Sequence, residues 1–184
     1  YRAITWLALD HGISVDDETS LGELARSYPL GLMGEDSNQV LVDGHTLGPE
    51  LRDSMVDWNV SIVSKASPVR RELLAQQRNT AAQGKIVMIG RDIGTVVLPD
   101  ADLKVYLTAS PEKRAQRRWQ EMQDRGEAVE LLTVLSETIA RDEIDSGRDD
   151  SPLKPADDAW ELNTDGLDIQ QVVQKIVDRT ISPK

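Results

Sequence analysis

Gly90-Arg91-Asp92-Ile93-Gly94-Thr95 places an arginine beside a carboxylate between two glycines, directly after the all-apolar run Ile86-Val87-Met88-Ile89. A guanidinium offers a planar fork of donors to an anionic oxygen, and a carboxylate accepts from amino or hydroxyl groups. The apolar run predicts a strand buried on both faces, as in parallel sheets. In such sheets ligands bind beyond the carboxyl ends of the strands, so Arg91 and Asp92 are expected to face a ligand crevice. A plain turn whose Arg and Asp neutralise each other accounts for the same letters.

A second group is Arg141-Asp142-Glu143-Ile144-Asp145-Ser146-Gly147-Arg148. On a helix Arg141, Asp145 and Arg148 stand at i, i+4 and i+7 and share a face. Two readings stay open from spacing alone. One is an intrahelical ladder of ion pairs. The other is a pair of arginines gripping a phosphate while the carboxylate accepts hydroxyl donors of a sugar. A third group, Arg114, Arg117 and Arg118, shares a face of the helix after Ser110-Pro111 and could close over a triphosphate, or simply be a solvated face opposite Glu112 and Glu121. No nucleophilic triad and no metal-ligand spacing is evident. His11 and His45 fall in turn regions and read as surface residues. The pattern Gly-x-x-x-x-Gly-Lys-[Ser/Thr] is not found, since Gly84-Lys85 is followed by Ile and lacks the upstream Gly.

The elements that must hold these groups follow from caps and periodicity. Residues 1–10 read as the end of a helix stopped at His11-Gly12. Asp17-Glu18-Thr19-Ser20 offers a cap for a short helix over Leu21–Ser27. Residues 29–46 suggest a small antiparallel strand pair, with Val40-Leu41-Val42 turning at Asp43-Gly44. A short helix starts at Pro49, a further one is expected over Val56–Lys65, and Ser67-Pro68 opens a helix to about Ala82. Beyond the run at 86–89 come a strand over 103–107, a helix capped by Ser110 to about Arg125-Gly126, and a helix over Leu131–Ile144. A weaker strand over 159–162 and a helix capped by Asp168 complete the chain. Alternating strands and helices imply a parallel sheet with helices on both faces, and 13–66 breaks that rhythm as an inserted subdomain.

In bulk terms, 184 residues with 39% hydrophobic and 29% charged content fit one globular domain with an insertion. Net charge -11 disfavours a non-specific nucleic-acid or anionic-membrane surface, yet the arginines gather locally, as suits a small polyanion or solvated helix faces balanced by nearby Glu and Asp. Without cysteine there is no disulfide and no thiolate metal site, which suits a reducing compartment. The chain reads as neither membrane-inserted nor secreted, and a cytoplasmic monomer is expected. It begins with Tyr1 inside what already reads as an amphipathic helix, so a cut start is expected.

Four stretches carry a resemblance to the bacterial-type cytidylate kinases, in this order and spacing. They are Tyr1-Arg2-Ala3-Ile4-Thr5; Val69-Arg70-Arg71-Glu72-Leu73-Leu74 with Gln77-Arg78; Gly90 through Ala101; and Arg141 through Arg148 with Ser151-Pro152-Leu153. The resemblance implies an α/β fold of the P-loop NTPase type: a parallel sheet with flanking helices, a lid over 111–150 and an inserted monophosphate-binding subdomain over 13–66. It implies that Arg2, Arg91, Arg141 and Arg148 meet the CMP phosphate, that Ser61, Arg70 and Asp92 read cytosine, and that Asp145 holds the ribose. Arg91, Arg148 and Arg118 are then expected at the reacting groups, with Arg114, Arg117 and Arg118 covering ATP. The implied reaction is transfer of the γ-phosphoryl of MgATP to CMP, and also to dCMP. Cytosine carries an exocyclic amino donor where uracil has a carbonyl, so a carboxylate such as Asp92 favours cytosine.

The same resemblance puts the Gly-rich loop and the first central strand, roughly 30 residues or more, ahead of Tyr1. That strand is expected between neighbours supplied by 86–89 and 159–162, and residues 1–184 alone are expected to be inactive and poorly stable. Two rival functions remain: a non-catalytic protein that binds nucleoside monophosphates, and a kinase for another small acceptor such as UMP.

Overall fold

The computed structural model describes residues 1–33, 39–147 and 149–181. Its chain divides into two compact units, Tyr1–Met88 and Ile89–Lys184.

The first unit is helical with a small antiparallel sheet. Helix α1 (Arg2–Asp10) is followed by α2 (Glu18–Ser27), strands β1 (Gly31–Met33), β2 (Gln39–Val42) and β3 (His45–Leu47), and a 3₁₀ turn at Pro49–Arg52. Helices α3 (Ser54–Lys65) and α4 (Ser67–Ala81) complete it. Asp17 caps α2, its carboxylate accepting from the Ser20 amide at 3.1 Å. Strands β2 and β3 are joined by Asp43-Gly44, with φ of 46° and 75°. Two successive positive φ values define the tight hairpin turn whose twist matches the strands, and Gly and Asp are among the residues that tolerate it. The sheet has three strands rather than a pair, since β1 adds antiparallel to β2 with Gly31 opposite Leu41. Helix α4 starts one residue earlier than expected: Ala66 is the cap and Ser67 already lies in the first turn beside Pro68.

The core of this unit is set by α1. Ile4, Leu7 and Ala8 are fully buried against Leu21 and Ala25 of α2, Val63 of α3, and Val69 and Leu73 of α4. Each of the Ile, Leu and Val side chains contributes about 1.5–3 kcal/mol through burial. Helices α2 and α4 approach so closely at Gly22 that a side-chain Cβ there would stand 2.4 Å from Pro68 Cβ.

The second unit holds a turn of π-helix at Ile93–Val97, strand β4 (Val105–Thr108), helices α5 (Pro111–Asp124) and α6 (Leu131–Gly147), strand β5 (Trp160–Asn163) and helix α7 (Ile169–Ile181). Strands β4 and β5 pair in parallel, Val105 opposite Trp160 through Thr108 opposite Asn163. This is the parallel sheet that the alternation of elements predicts. Ser110 caps α5, accepting from the Lys113 amide at 3.3 Å. Asp168 caps α7 by accepting from the Gln171 amide at 2.8 Å, while the Gln171 side chain accepts from the Asp168 amide at 3.0 Å. Helices α5 and α6 pack through Ala115, Met122 and Val134, with Trp119 donating its indole N–H to the Val129 carbonyl at 2.9 Å. No helix among the described residues is long and apolar enough to cross a membrane.

The run Ile86–Ile89 departs from expectation. It forms no strand, and Val87 and Ile89 are 90% and 91% exposed. An apolar run becomes a buried strand only when neighbouring strands accept its backbone groups. Here none pairs with it among the described residues.

Candidate functional site

In the first unit three predicted site residues gather where α1 begins, beside α3 and α4. Arg2 donates to the Leu51 carbonyl at 2.7 Å and forms a close ion pair with Asp57 of α3. Asp57, Ser61 and Ser64 recur at i, i+4 and i+7 and so share one face of α3. Ser61 is buried, and the Ser64 hydroxyl donates to the Ser61 carbonyl at 3.0 Å. Arg70, buried on α4, donates to the Ser64 carbonyl at 3.0 Å and places its guanidinium 5.4 Å from the centre of the Tyr1 ring. Its orientation is thus fixed by a backbone acceptor and by an aromatic face that attracts cations.

In the second unit the turn at 90–97 and helix α6 supply a network of arginines and carboxylates. The Asp92 carbonyl accepts from the amides of Val96 and Val97 at 2.9 and 3.3 Å, which closes the wide turn and buries Asp92. Arg91 places its Nε 3.1 Å from Asp145 Oδ2 and a terminal nitrogen 3.9 Å from Asp142 Oδ1. Arg141 stands one turn before Asp145 with its Nε 3.8 Å from the same oxygen. The Asp145 side chain is 3% exposed, so a nearly dry carboxylate is flanked by two guanidiniums. Asp145 also accepts the Leu153 amide on its backbone carbonyl at 2.7 Å, which ties the chain after α6 back onto the helix.

Arg114 and Arg117 of α5 turn to different partners. Arg114 grips Asp142 through two hydrogen bonds of 2.8 and 2.6 Å and donates its Nε to the Ala109 carbonyl at 3.1 Å. The bidentate bond to Asp142 holds the Arg114 guanidinium above its ordinary pKa. Arg117 donates to the Thr164 hydroxyl at 3.1 Å and to its carbonyl at 2.7 Å, just past the end of β5. Arg118 is half-buried one turn beyond Arg114. Arg148 lies outside the described residues.

At 141–148 the structure adds a partner that helical spacing alone does not show, Arg91. Asp145 pairs at the shorter distance with Arg91 from another segment, and the intrahelical pair with Arg141 is the longer one. Arg91 and Asp92 are not placed by a buried strand, as the sequence suggests; Arg91 is placed by the carboxylates of α6. Two participants escaped sequence reasoning. Asp142 was visible only as the neighbour of Arg141, and Asp57 only as an ordinary helical acid. Their partners lie 28 and 55 residues away in sequence. The histidines are surface residues, as expected: His11 pairs with Asp43 at 3.1 Å and His45 stacks near Trp6 at 5.2 Å.

Among the described residues no group of three or more His, Asp or Glu side chains is arranged to hold a metal ion. Asp145 and Asp142 are engaged by the guanidiniums of Arg91 and Arg114.

A parallel strand pair flanked by helices that carry arginines and acids is consistent with an α/β nucleotide-kinase fold of the P-loop class. The family model "Cytidylate kinase" matches residues 1–181. A cytidylate kinase of Bacillus pumilus is 44% identical over 97% of this chain and 80% of its own length. Those of Desulfitobacterium hafniense and Streptococcus suis are also 44% identical, over 96% and 97% of this chain and 76% and 80% of their own lengths. The chain belongs to the cytidylate kinase family.

Proposed function

We propose that the protein transfers the γ-phosphoryl group of ATP to CMP, and also to dCMP, giving ADP and the nucleoside diphosphate. The observation that carries this reading is the Asp145 carboxylate flanked by Arg91 and Arg141, with buried Asp92 next to Arg91 in sequence. A monoester dianion takes up guanidinium forks readily, and its arrival frees Asp145 to accept ribose hydroxyls. Arg2 and Arg148 are assigned to the same phosphate. Ser61, Arg70 and Asp92 are assigned to cytosine, with Asp92 accepting from the exocyclic amine. In this reading 13–66 is the monophosphate-binding subdomain and 111–150 the lid, whose Arg118, with Arg114 and Arg117, serves ATP.

In the transfer a CMP phosphate oxygen forms the new bond to the γ-phosphorus as the bond to the bridging oxygen of ADP breaks. The protein's share is positioning and charge stabilisation, with Arg91, Arg118 and Arg148 near the reacting groups. Mg²⁺ enters with the ATP phosphates; no acid described here is assigned to it. Membership of a family of nucleotide kinases, whose reaction draws on ATP, supports work in the cytoplasm.

The test is a coupled assay of ADP release from the full-length protein with CMP or UMP as acceptor. CMP is expected to give the higher kcat/KM. Equal values would remove the assignment of cytosine reading, and no transfer to either would remove the kinase reading.

A further inference from the structure

We propose that Asp142 is a positioning residue for the phosphoryl transfer, holding Arg114 in place while presenting Arg91 to the acceptor phosphate; this rests on the kinase reading above. Arg114 is fixed at three points, by two hydrogen bonds to Asp142 and one to the Ala109 carbonyl just beyond β4. Arg91 spans two carboxylates set three residues apart on α6. Its Nε meets Asp145 at 3.1 Å, whereas its terminal nitrogen is only loosely tethered to Asp142 at 3.9 Å.

The difference between these contacts is what makes Asp142 useful. Both of its oxygens are taken up by Arg114, so it competes for Arg91 more weakly than an unshared carboxylate would. A carboxylate competes with a phosphate dianion for the same fork. A competitor already satisfied by another arginine orients Arg91 without retaining it. The Arg114–Asp142 pair therefore sets how readily Arg91 is released.

The two sides of this salt bridge predict opposite changes in KM. Asp142→Asn keeps the shape and removes the charge. It lowers kcat about ten-fold, because both guanidiniums lose their orientation, and it lowers KM for CMP, because a competing negative charge is gone. Arg114→Lys breaks the fork, turns the Asp142 carboxylate onto Arg91 and raises KM for CMP, measured at saturating ATP. A merely structural salt bridge would shift both variants alike, through the folded fraction, with KM unchanged.

The experiment is steady-state kinetics of the wild type and both variants of the full-length protein, with thermal melts to correct for the folded fraction. Opposite shifts of KM for CMP, with reduced kcat in Asp142→Asn, are the expected result. Unchanged KM in both, or a shift of the same sign in both, overturns the proposal. If Asp142→Asn fails to fold, the Arg114→Lys value decides alone: a raised KM supports the proposal and an unchanged or lowered one overturns it. A wild type that makes no CDP from CMP would instead remove the underlying kinase reading.

Discussion

Replacing Arg91 by Ala lowers kcat/KM for CMP by roughly 10²–10³-fold, the usual loss when one fixed donor to a developing or bound anion is removed. Two effects combine. The acceptor phosphate loses a guanidinium, and Asp145, whose side chain is 3% exposed, loses its partner at 3.1 Å, the nearer of the two guanidiniums beside it. Breaking one side of a buried ion pair costs about 3–5 kcal/mol of stability, but Arg91 is itself 35% exposed and solvent screens part of that. A loss nearer ~1–2 kcal/mol is therefore expected. Arg91→Lys keeps the charge without the planar fork and should fall between the wild type and Ala in kcat/KM. Steady-state kinetics over a range of CMP concentrations, with a thermal melt of each variant, separates the two effects. An Arg91→Ala enzyme with wild-type kcat/KM would contradict its assignment to the phosphate.

The second large effect is one of selectivity. Asp92→Ala is expected to lower kcat/KM for CMP by about 5- to 150-fold, equivalent to ~1–3 kcal/mol, while changing that for UMP far less. Cytosine presents an amino donor that a buried carboxylate satisfies. Uracil presents a carbonyl in its place, which gains nothing from Asp92. The Ala variant keeps the Asp92 backbone carbonyl, which accepts from the Val96 and Val97 amides in the turn at 92–97. The measurement is kcat/KM for both acceptors with both proteins. Equal proportional losses would show that Asp92 supports the turn and does not read the base.

What the sequence made legible is mostly local. Asp17, Ser110 and Asp168 cap helices where they stand, because a cap needs only an oxygen within three residues of an amide. Asp43-Gly44 makes a hairpin for the same reason. The parallel direction of β4 and β5 was implied by the rhythm of strands and helices, but their direct pairing was not.

The run at 86–89 shows where such reasoning stops. Its composition asks for burial, but a strand is defined by its neighbours, and none pairs with it among the described residues. The site residues divide in the same way. Arg141 and Asp145 were paired on paper by helical spacing, yet the shorter contact of Asp145 is with Arg91, and that is a product of packing. Arg114, Arg117 and Arg118 looked like one set because a helix puts them together. Their partners, Asp142 and Thr164, come from elements with no sequence signal linking them to α5, and they send Arg114 and Arg117 in different directions.

The kinase account depends on guanidiniums that take up a phosphate monoester, and calorimetric titration of the full-length protein with CMP and with cytidine addresses that directly. The two ligands share base and sugar and differ only in the phosphate. Binding of CMP at least 100-fold tighter than cytidine, with the gap narrowed in Arg91→Ala, is the predicted result. Equal affinities for the two would contradict it.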